Sequence, residues 1–273
     1  MKLKYKIQKL IDFINTYNKV IVSYSGGLDS SLLAFLCKYL NKEVIAVTKI
    51  SKLHKEKEIK FAEEFARKYN IKHVVIKTNE LKNKEFSKNT PLRCYYCKRI
   101  LYEQLNKLKK NWSFDVIFDG VNLDDIKNDF RPGVKAADEF KVKHPFVEVG
   151  ITKKDIREIA KKFKLEIWDK LPTTCLLTRI PFGVSITEEL LRKIEMAEEI
   201  IEKYWNGFFR IRDHNEIIRI ELRKSEIKNF VSKHKLENLI KELKSLGYKF
   251  VTLDLEGYQP SGKRFKDLSS IYI

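Results

Sequence analysis

One short stretch limits what this chain can become. The apolar run Lys19–Ser25 reads as a strand and passes directly into Ser25-Gly26-Gly27-Leu28-Asp29-Ser30-Ser31, where a helical run, Asp29–Leu40, begins. A strand that hands over to a helix in this way leaves free backbone N–H groups and the positive end of the helix dipole facing one spot, a place for an anion. Gly26 and Gly27 carry no Cβ, so backbone can approach a phosphate closely. Ser25, Ser30 and Ser31 add hydroxyl donors, and Asp29 either caps the helix or helps to hold Mg²⁺. No Gly-Lys-Ser/Thr follows, so this is not a Walker A loop.

The rest of the first half repeats the strand–helix theme. Glu43–Lys49, Lys72–Lys77 and Asp115–Phe118 have strand length, and Leu165–Trp168 is read as a fifth strand. Lys55–Tyr69 and Cys94–Lys109 have helical spacing, Asn79–Arg93 reads as a long polar loop, and Thr152–Lys162 opens with a Thr152/Asp155 capping signal. Such alternation implies an α/β fold: a five-stranded parallel sheet with helices on both faces, joined by right-handed crossovers. Ligands of these sheets bind beyond the carboxyl ends of the strands. That rim would hold Ser25–Ser31, the loop after Lys49, and Asp119–Asp125 with its two acids, Asp124 and Asp125, as candidates for Mg²⁺, substrate orientation or helix capping.

After Gly183 the pattern changes. A long helix, Thr187–Tyr204, is followed by strand-like Phe208–Asp213 and Glu216–Leu222, a helix Lys235–Leu246 closed by Gly247, and Tyr248–Asp254. The expected division is therefore a nucleotide-binding domain over 1–183 and a small α+β domain over 184–273.

Composition narrows the function classes. With 273 residues and 43% hydrophobic content, the chain can bury one large or two modest cores. Its 55 Lys and Arg against 37 Asp and Glu give a net charge of +18, which suits phosphorylated ligands or RNA; a solvated lysine-rich surface is the plainer explanation, since the charges are spread throughout. No stretch approaches the roughly 18 apolar residues of a membrane span. Residues Met1–Tyr17 are charged throughout and read as an amphipathic helix, not a signal peptide. The expected location is cytoplasmic, where cysteines serve metals or chemistry more than disulfides.

There are four cysteines. Cys37 lies in an apolar helical run and reads as a small buried hydrophobe. Cys94 and Cys97 form Cys-x-x-Cys, a spacing that puts both sulfurs on one side of a helix, and Cys175 follows much later. Four-thiolate zinc lacks a fourth ligand, and a thioredoxin-like pair expects a different context. Three thiolates can hold a [4Fe–4S] cluster with one iron open to exogenous sulfide. Alternatively Cys175 is itself the sulfur donor, or the three cysteines are unrelated buried residues. Arg93, Lys98 and Arg179, neighbours in sequence, would lower thiol pKa values if also near in space.

Ser25–Ser31 resembles the PP-loop of the ATP pyrophosphatase superfamily (adenine nucleotide α-hydrolase-like), whose members split ATP between the α and β phosphates. The resemblance extends further. Pro91-Leu92-Arg93-Cys94-Tyr95-Tyr96-Cys97-Lys98, Asp119-Gly120-Val121-Asn122-Leu123-Asp124-Asp125, Arg131-Pro132-Gly133, Trp168-Asp169-Lys170, Cys175-Leu176-Leu177-Thr178-Arg179-Ile180-Pro181 and Thr252-Leu253-Asp254-Leu255-Glu256-Gly257-Tyr258 are similar, in the same order, to the LarE family.

That resemblance implies an ATP-dependent sulfurtransferase of nickel-pincer nucleotide synthesis. It implies adenylation of the carboxylates of pyridinium-3,5-biscarboxylic acid mononucleotide and replacement of oxygen by sulfur, with release of AMP and pyrophosphate. Its cofactors would be ATP, Mg²⁺ and, with Cys94 and Cys97 present beside Cys175, a [4Fe–4S] cluster on those three residues; the rival source of sulfur is a sacrificed Cys175. Arg179 would neutralise phosphate or substrate. Arg210, Arg212 and Glu221 match the family's region for the substrate phosphate, and Arg210 and Arg212, two apart on a strand, would share a face. The family further implies a small nucleotide substrate, sulfide or another sulfur donor, and a homo-oligomer, a hexamer being one form, with no membrane. Two stretches depart from its pattern: Thr48–Lys55, which is Lys-rich, and Gln259–Lys263. The rival readings are a tRNA-thiolation enzyme of the same superfamily, a non-catalytic nucleotide- or metal-binding regulator, and an amidating ligase in which the cysteines would have no task.

Overall fold

The computed structural model describes residues 2–54, 56–126, 132–170, 174–232 and 236–259. Lys55, Arg131, Lys235 and Pro260–Lys263, which enter the expectations above, lie outside them. The chain divides into two compact units, Met1–Thr173 and Thr174–Ile273, so the division falls ahead of the boundary expected near 184.

In the first unit, α1 (Leu3–Asn15) leads into β1 (Lys19–Ser23) and α2 (Leu28–Tyr39), then β2 (Glu43–Ile50), α3 (Glu56–Lys68) and β3 (Lys72–Lys77). A 3₁₀ turn and the short α4 (Lys84–Ser87) precede α5 (Arg93–Asn111), β4 (Val116–Asp119), α6 (Leu123–Ile126), α7 (Pro132–Glu139), α8 (Pro145–Glu148) and α9 (Lys153–Lys162). The sheet is parallel throughout, in the order β3-β2-β1-β4.

It has four strands where five were expected. Leu165–Trp168 is a run of turns, closed by Trp168 N–H to Leu165 O at 3.2 Å and Lys170 N–H to Ile167 O at 3.0 Å. Leu165 and Ile167 are both buried in the core, so their spacing of two imitates a strand. The outer edge of β4 is met instead by a single residue, Lys143, bridged to Phe118. A second difference lies in Asn79–Arg93. That stretch folds into the 3₁₀ turn Glu80–Lys82 and α4, because Asn83 Oδ1 caps Phe86 N–H at 3.0 Å while the Phe86 ring is fully buried.

Strand residues alternate between two cores, as the period of two requires. Val20, Val22, Val44, Ala46, Val116 and Phe118 face one side, packed with α2, α3 and α9 residues such as Leu32, Phe65 and Ile156. Ile21, Ile45, Val47 and Ile117 face the other, against Leu101, Tyr102 and Leu105 of α5 and Ala136 and Ala137 of α7. Helices thus cover both faces. Cys37 is wholly buried in the first core and burial pushes its thiol up to about 12, so it packs as an inert hydrophobe. The α9 N-terminus carries the expected capping box, with Thr152 and Asp155 bonding each other's backbone.

The second unit contains α10 (Glu188–Tyr204), β5 (Phe209–His214), β6 (Ile217–Leu222), α11 (Ile227–Val231), α12 (Leu236–Ser245) and β7 (Phe250–Leu253). β5 and β6 form an antiparallel hairpin that turns at Asn215, held at φ 64, and β7 joins β6 in parallel. Gly247, at φ 92, follows α12 as the sequence suggested.

Candidate functional site

The carboxyl ends of β1 and β4 lie side by side, Ser23 opposite Asp119, and everything expected at the rim of the first unit grows from there. Between β1 and α2 the loop folds on itself through its serines. Ser30 Oγ lies 3.2 Å from both Ser25 N and Ser25 Oγ and 3.3 Å from Gly27 O, while Gly27 N points toward Ser25 Oγ at 3.4 Å. Gly27 is the N-cap of α2 and offers no side-chain acceptor, so the first N–H groups of the helix remain open for an anion. Gly26 sits at φ 69, and a Cβ there would lie 2.8 Å from Ala62 Cβ; both the conformation and the space call for glycine. Ser25 is exposed, whereas Ser30 and Ser31 are buried under the loop.

A second glycine matters equally. Gly120, just past β4, lies so close to the start of α2 that a Cβ would meet Ser30 N at 2.8 Å and Asp29 Cβ at 3.1 Å. It brings the Asp119–Asp125 segment against the phosphate loop.

Asp29 neither caps its helix nor stands alone. Lys153 Nζ, the first residue of α9, pairs with Asp29 Oδ1 at 2.5 Å. Burial raises the Asp29 pKa, and the Lys153 charge works against that rise. Asp124 and Asp125 both serve as caps: Asp124 Oδ2 accepts the Lys153 backbone N–H at 2.9 Å, and Asp125 Oδ2 accepts Asn122 N–H and Nδ2 at 3.2 and 2.7 Å. Asp29 and Asp124 are thus linked through Lys153, and Asp124 and Asp125 through Asn122, along the rim.

Several contacts at the site escaped the sequence. Asp119, fully buried at the end of β4, accepts from Tyr102 Oη at 2.7 Å and Val121 N at 3.1 Å and shares a 2.5 Å contact with His144 Nδ1. Burial alone would raise its pKa; the His144 bond, the Lys98 and His144 charges and the Tyr102 bond together outweigh it and hold the carboxyl below the usual range. His144 responds in the opposite sense: burial lowers it, and Asp119 carries it above an ordinary histidine. Lys170 Nζ donates to Gly26 O at 3.0 Å. Lys49, at the end of β2, is 7% exposed and joins Glu80 Oε1 at 2.6 Å to Cys97 Sγ at 2.9 Å. The signals in sequence were the Asp119-Gly120 and Trp168-Asp169-Lys170 stretches and the Lys-rich Thr48–Lys55, none of which names its partner.

Cys94 and Cys97 stand in the first turns of α5, Cys94 exposed and Cys97 half-buried. Burial raises the Cys94 thiol, and Arg93 opposes the rise. A thiolate-bound cluster needs ionised sulfurs and hydrogen bonds to them. The Lys49 ammonium supplies one such hydrogen bond, to the Cys97 sulfur at 2.9 Å, so the donor set around this pair suits such a group. Among the described residues no three or more of His, Cys, Asp and Glu are gathered to hold a metal ion.

In the second unit Cys175 is exposed and precedes the 3₁₀ turn Leu176–Arg179. Arg179 was expected at phosphate or substrate. Its guanidinium is instead buried, paired with Glu198 at 2.7 Å and bonded through Nη1 to Thr174 O at 3.0 Å and Cys175 O at 3.1 Å, where it braces the Cys175 turn. Arg210 and Arg212 do share a face of β5, opposite Glu221 and Arg219 of β6. Glu221, with no exposure, takes Arg212 on one oxygen at 2.8 Å and Arg219 on the other at 3.1 Å. Arg212 also donates to Thr178 O, and Arg210 lies 4.7 Å over the Phe208 ring. Burial, then the nearby Arg179, lowers the Arg210 pKa. Arg219 also reaches Asp254 at 3.5 Å, so three guanidiniums meet two carboxylates and leave net positive charge for a phosphate monoester. Among the described residues, no helix is long and apolar enough to cross a membrane.

Comparison with known proteins agrees with this geometry. The queuosine biosynthesis protein QueC family matches residues 19–93. An uncharacterized protein of Methanocaldococcus jannaschii is 38% identical over 241 residues, covering 88% of this chain and 91% of its own. Pyridinium-3,5-bisthiocarboxylic acid mononucleotide synthase of Lactiplantibacillus plantarum is 31% identical over 252 residues, 92% of this chain and 90% of that protein. Among solved structures, NMN synthetase from Francisella tularensis superposes with a TM-score of 0.51 at 18% identity, over 63% of this chain and 76% of that one, which speaks to the fold.

Proposed function

Because the chain belongs to the LarE family of PP-loop enzymes, we propose that it is an adenylating sulfurtransferase acting on pyridinium-3,5-biscarboxylic acid mononucleotide. The observation that carries this reading is the loop Ser25–Ser31, with its open helix N-terminus and its glycine at φ 69 pressed against Ala62, in a chain that also carries Cys94, Cys97 and Cys175.

Mg·ATP lies on that loop, with Ser25, Gly26, Gly27, Ser30 and Ser31 around the phosphates and Asp29, Asp124 and Asp125 toward the metal. A substrate carboxylate attacks the α-phosphorus, forming an acyl adenylate and releasing pyrophosphate. The N–H groups at the start of α2 are preorganised donors for the departing charge. A sulfur nucleophile then attacks the acyl carbon and expels AMP. Hydrosulfide from outside gives the thiocarboxylate once its proton is lost; the Cys175 thiolate gives a thioester first, and loss of the Cα proton with cleavage of the Cys175 Cβ–Sγ bond then frees the thiocarboxylate and leaves dehydroalanine at 175. Cys94, Cys97 and Cys175 are the residues that would hold a [4Fe–4S] cluster, which would supply a site for the hydrosulfide, and Lys49 would keep its hydrogen bond to the Cys97 sulfur. Arg210, Arg212 and Glu221 receive the substrate phosphate. Arg179 acts by shaping the Cys175 turn.

The test is anaerobic incubation of the purified chain with Mg·ATP, this mononucleotide and sulfide. Expected are substrate-dependent AMP and pyrophosphate and a product carrying sulfur in place of oxygen. Release of neither nucleotide product overturns the reading. Iron and sulfide quantitation with the intact mass of Cys175 then separates the donors: loss of the Cys175 sulfur after turnover assigns it to the protein, and an unchanged mass with bound iron assigns it to the cluster.

A further inference from the structure

One side chain from far along the sequence takes hold of the phosphate loop. Lys170 Nζ donates to Gly26 O at 3.0 Å, lies 3.3 Å over the centre of the Phe61 ring and faces Glu58 Oε2 at 3.4 Å. Glu58 and Phe61 come from α3, as does Ala62, the residue against which Gly26 packs. The Lys170 side chain is 16% exposed. Its ammonium is therefore shared among a carbonyl, an aromatic face and a carboxylate, all on one wall of the loop.

The carbonyl it holds is informative. Gly26 O and Gly27 N belong to a single planar peptide, and no described peptide is cis. In a trans peptide the C=O and the N–H point in opposite directions. Turning Gly26 O toward Lys170 turns Gly27 N–H away from that wall, to the side where Ser25 Oγ lies at 3.4 Å. Two successive glycines resist rotation of this peptide weakly, since both signs of φ are open to them. Rotated, the peptide would present a carbonyl oxygen to a phosphate in place of a donor.

We infer that Lys170 is a positioning residue for nucleotide binding: by clamping the Gly26 carbonyl it keeps the Gly27 N–H directed at the phosphates. The inference rests on the reading of Ser25–Ser31 as the ATP loop. Nothing else in the first unit holds that carbonyl among the described hydrogen bonds. The ammonium adds its charge behind the loop. Burial lowers its pKa, but Glu58 opposes this and favours the charged form.

The experiment compares full-length wild type with Lys170→Met, which keeps the stem over Phe61 and removes the ammonium, and Lys170→Arg, which keeps a cationic donor. The Mg·ATP dissociation constant is measured by calorimetry, and the unfolding midpoint without nucleotide is recorded beside it. Lys170→Met is expected to weaken Mg·ATP at least tenfold while the midpoint moves by only a few degrees. Lys170→Arg is expected to recover most of the affinity. In turnover, the KM for ATP is expected to rise more than kcat falls. Should Lys170→Met not fold, Lys170→Gln, a neutral donor, decides by the same measurements, with an expected loss of affinity between about threefold and tenfold. Affinity within twofold of wild type in the uncharged variants, or an equal loss in Lys170→Arg, overturns the inference. Failure of wild type to bind Mg·ATP overturns the loop reading along with it, and so is distinguishable.

Discussion

Replacing Gly120 by alanine tests whether the rim is built by close approach of backbone to backbone. The added Cβ would lie 2.8 Å from Ser30 N, about 0.6 Å inside the 3.4 Å at which ordinary contact begins, and 3.1 Å from Asp29 C and Cβ. The nearest atom is helix backbone, so no side-chain rotation relieves it. Overpacking of this kind costs about 1–3 kcal/mol, which for a unit of this size lowers the melting midpoint by about 2–12 °C. The same shift moves the Ser30 N–H and Asp29 at the mouth of α2 by a few tenths of an ångström. Since a misplacement of about 1 Å costs on the order of 100-fold, a roughly tenfold loss in ATP-dependent turnover is expected. Gly150→Ala is the control. Gly150 sits at φ 70 with nothing within 4 Å of a Cβ, so it loses about 1–2 kcal/mol to backbone conformation alone. Scanning calorimetry and pyrophosphate release on both variants separate lost stability from a displaced loop. If Gly120→Ala loses no more turnover than Gly150→Ala at matched stability, the close-approach argument is wrong.

Other outcomes follow from the buried pairs. Arg179→Gln leaves Glu198 buried without its main cation and is expected to destabilise the second unit by about 3–5 kcal/mol in denaturant titration; a loss under about 1 kcal/mol would show that the pair is not buried in solution. The Asp119–His144 pair gives a pH dependence whose sign is fixed by the two shifts. Asp119, held low, contributes stability above about pH 4 that is lost as pH falls through its folded pKa; His144, held high, contributes stability below about pH 6.5 that is lost as pH rises through its folded pKa. Wild type is therefore expected to lose stability on raising the pH above about 6.5 and His144→Phe to lose none of that increment, read by urea midpoints; parallel curves would refute it. Arg212→Ala is expected to raise the KM for the mononucleotide at least tenfold while leaving Mg·ATP affinity unchanged, measured by steady-state kinetics and calorimetry.

Local chemistry carried much of this into the sequence. β1, the glycine loop and α2 were legible because strand period, Gly-Gly and helix onset coincide within a few residues, and the α9 capping box and Gly247 were legible for the same reason. Failures came where the deciding contact is distant. Leu165 and Ile167 alternate like a strand because both are buried in the core, yet their backbone hydrogen bonds stay within local turns. Lys170 reaches Gly26 across 144 positions and Lys49 reaches Cys97 across 48, and no periodicity encodes such pairs. Arg179 finds its buried partner, Glu198, 19 positions along, in α10, another pair that no local pattern announces.

The opening of α9 makes one residue answer to two masters: the backbone of Lys153 is fixed to Asp124 and its side chain to Asp29. Insert a single residue just ahead of it and every side chain on that helix swings by about 100°, releasing both grips together. Length is thus tightly policed at the 151–153 corner, and a designer seeking to graft a tag or a permuted terminus into this unit should look elsewhere.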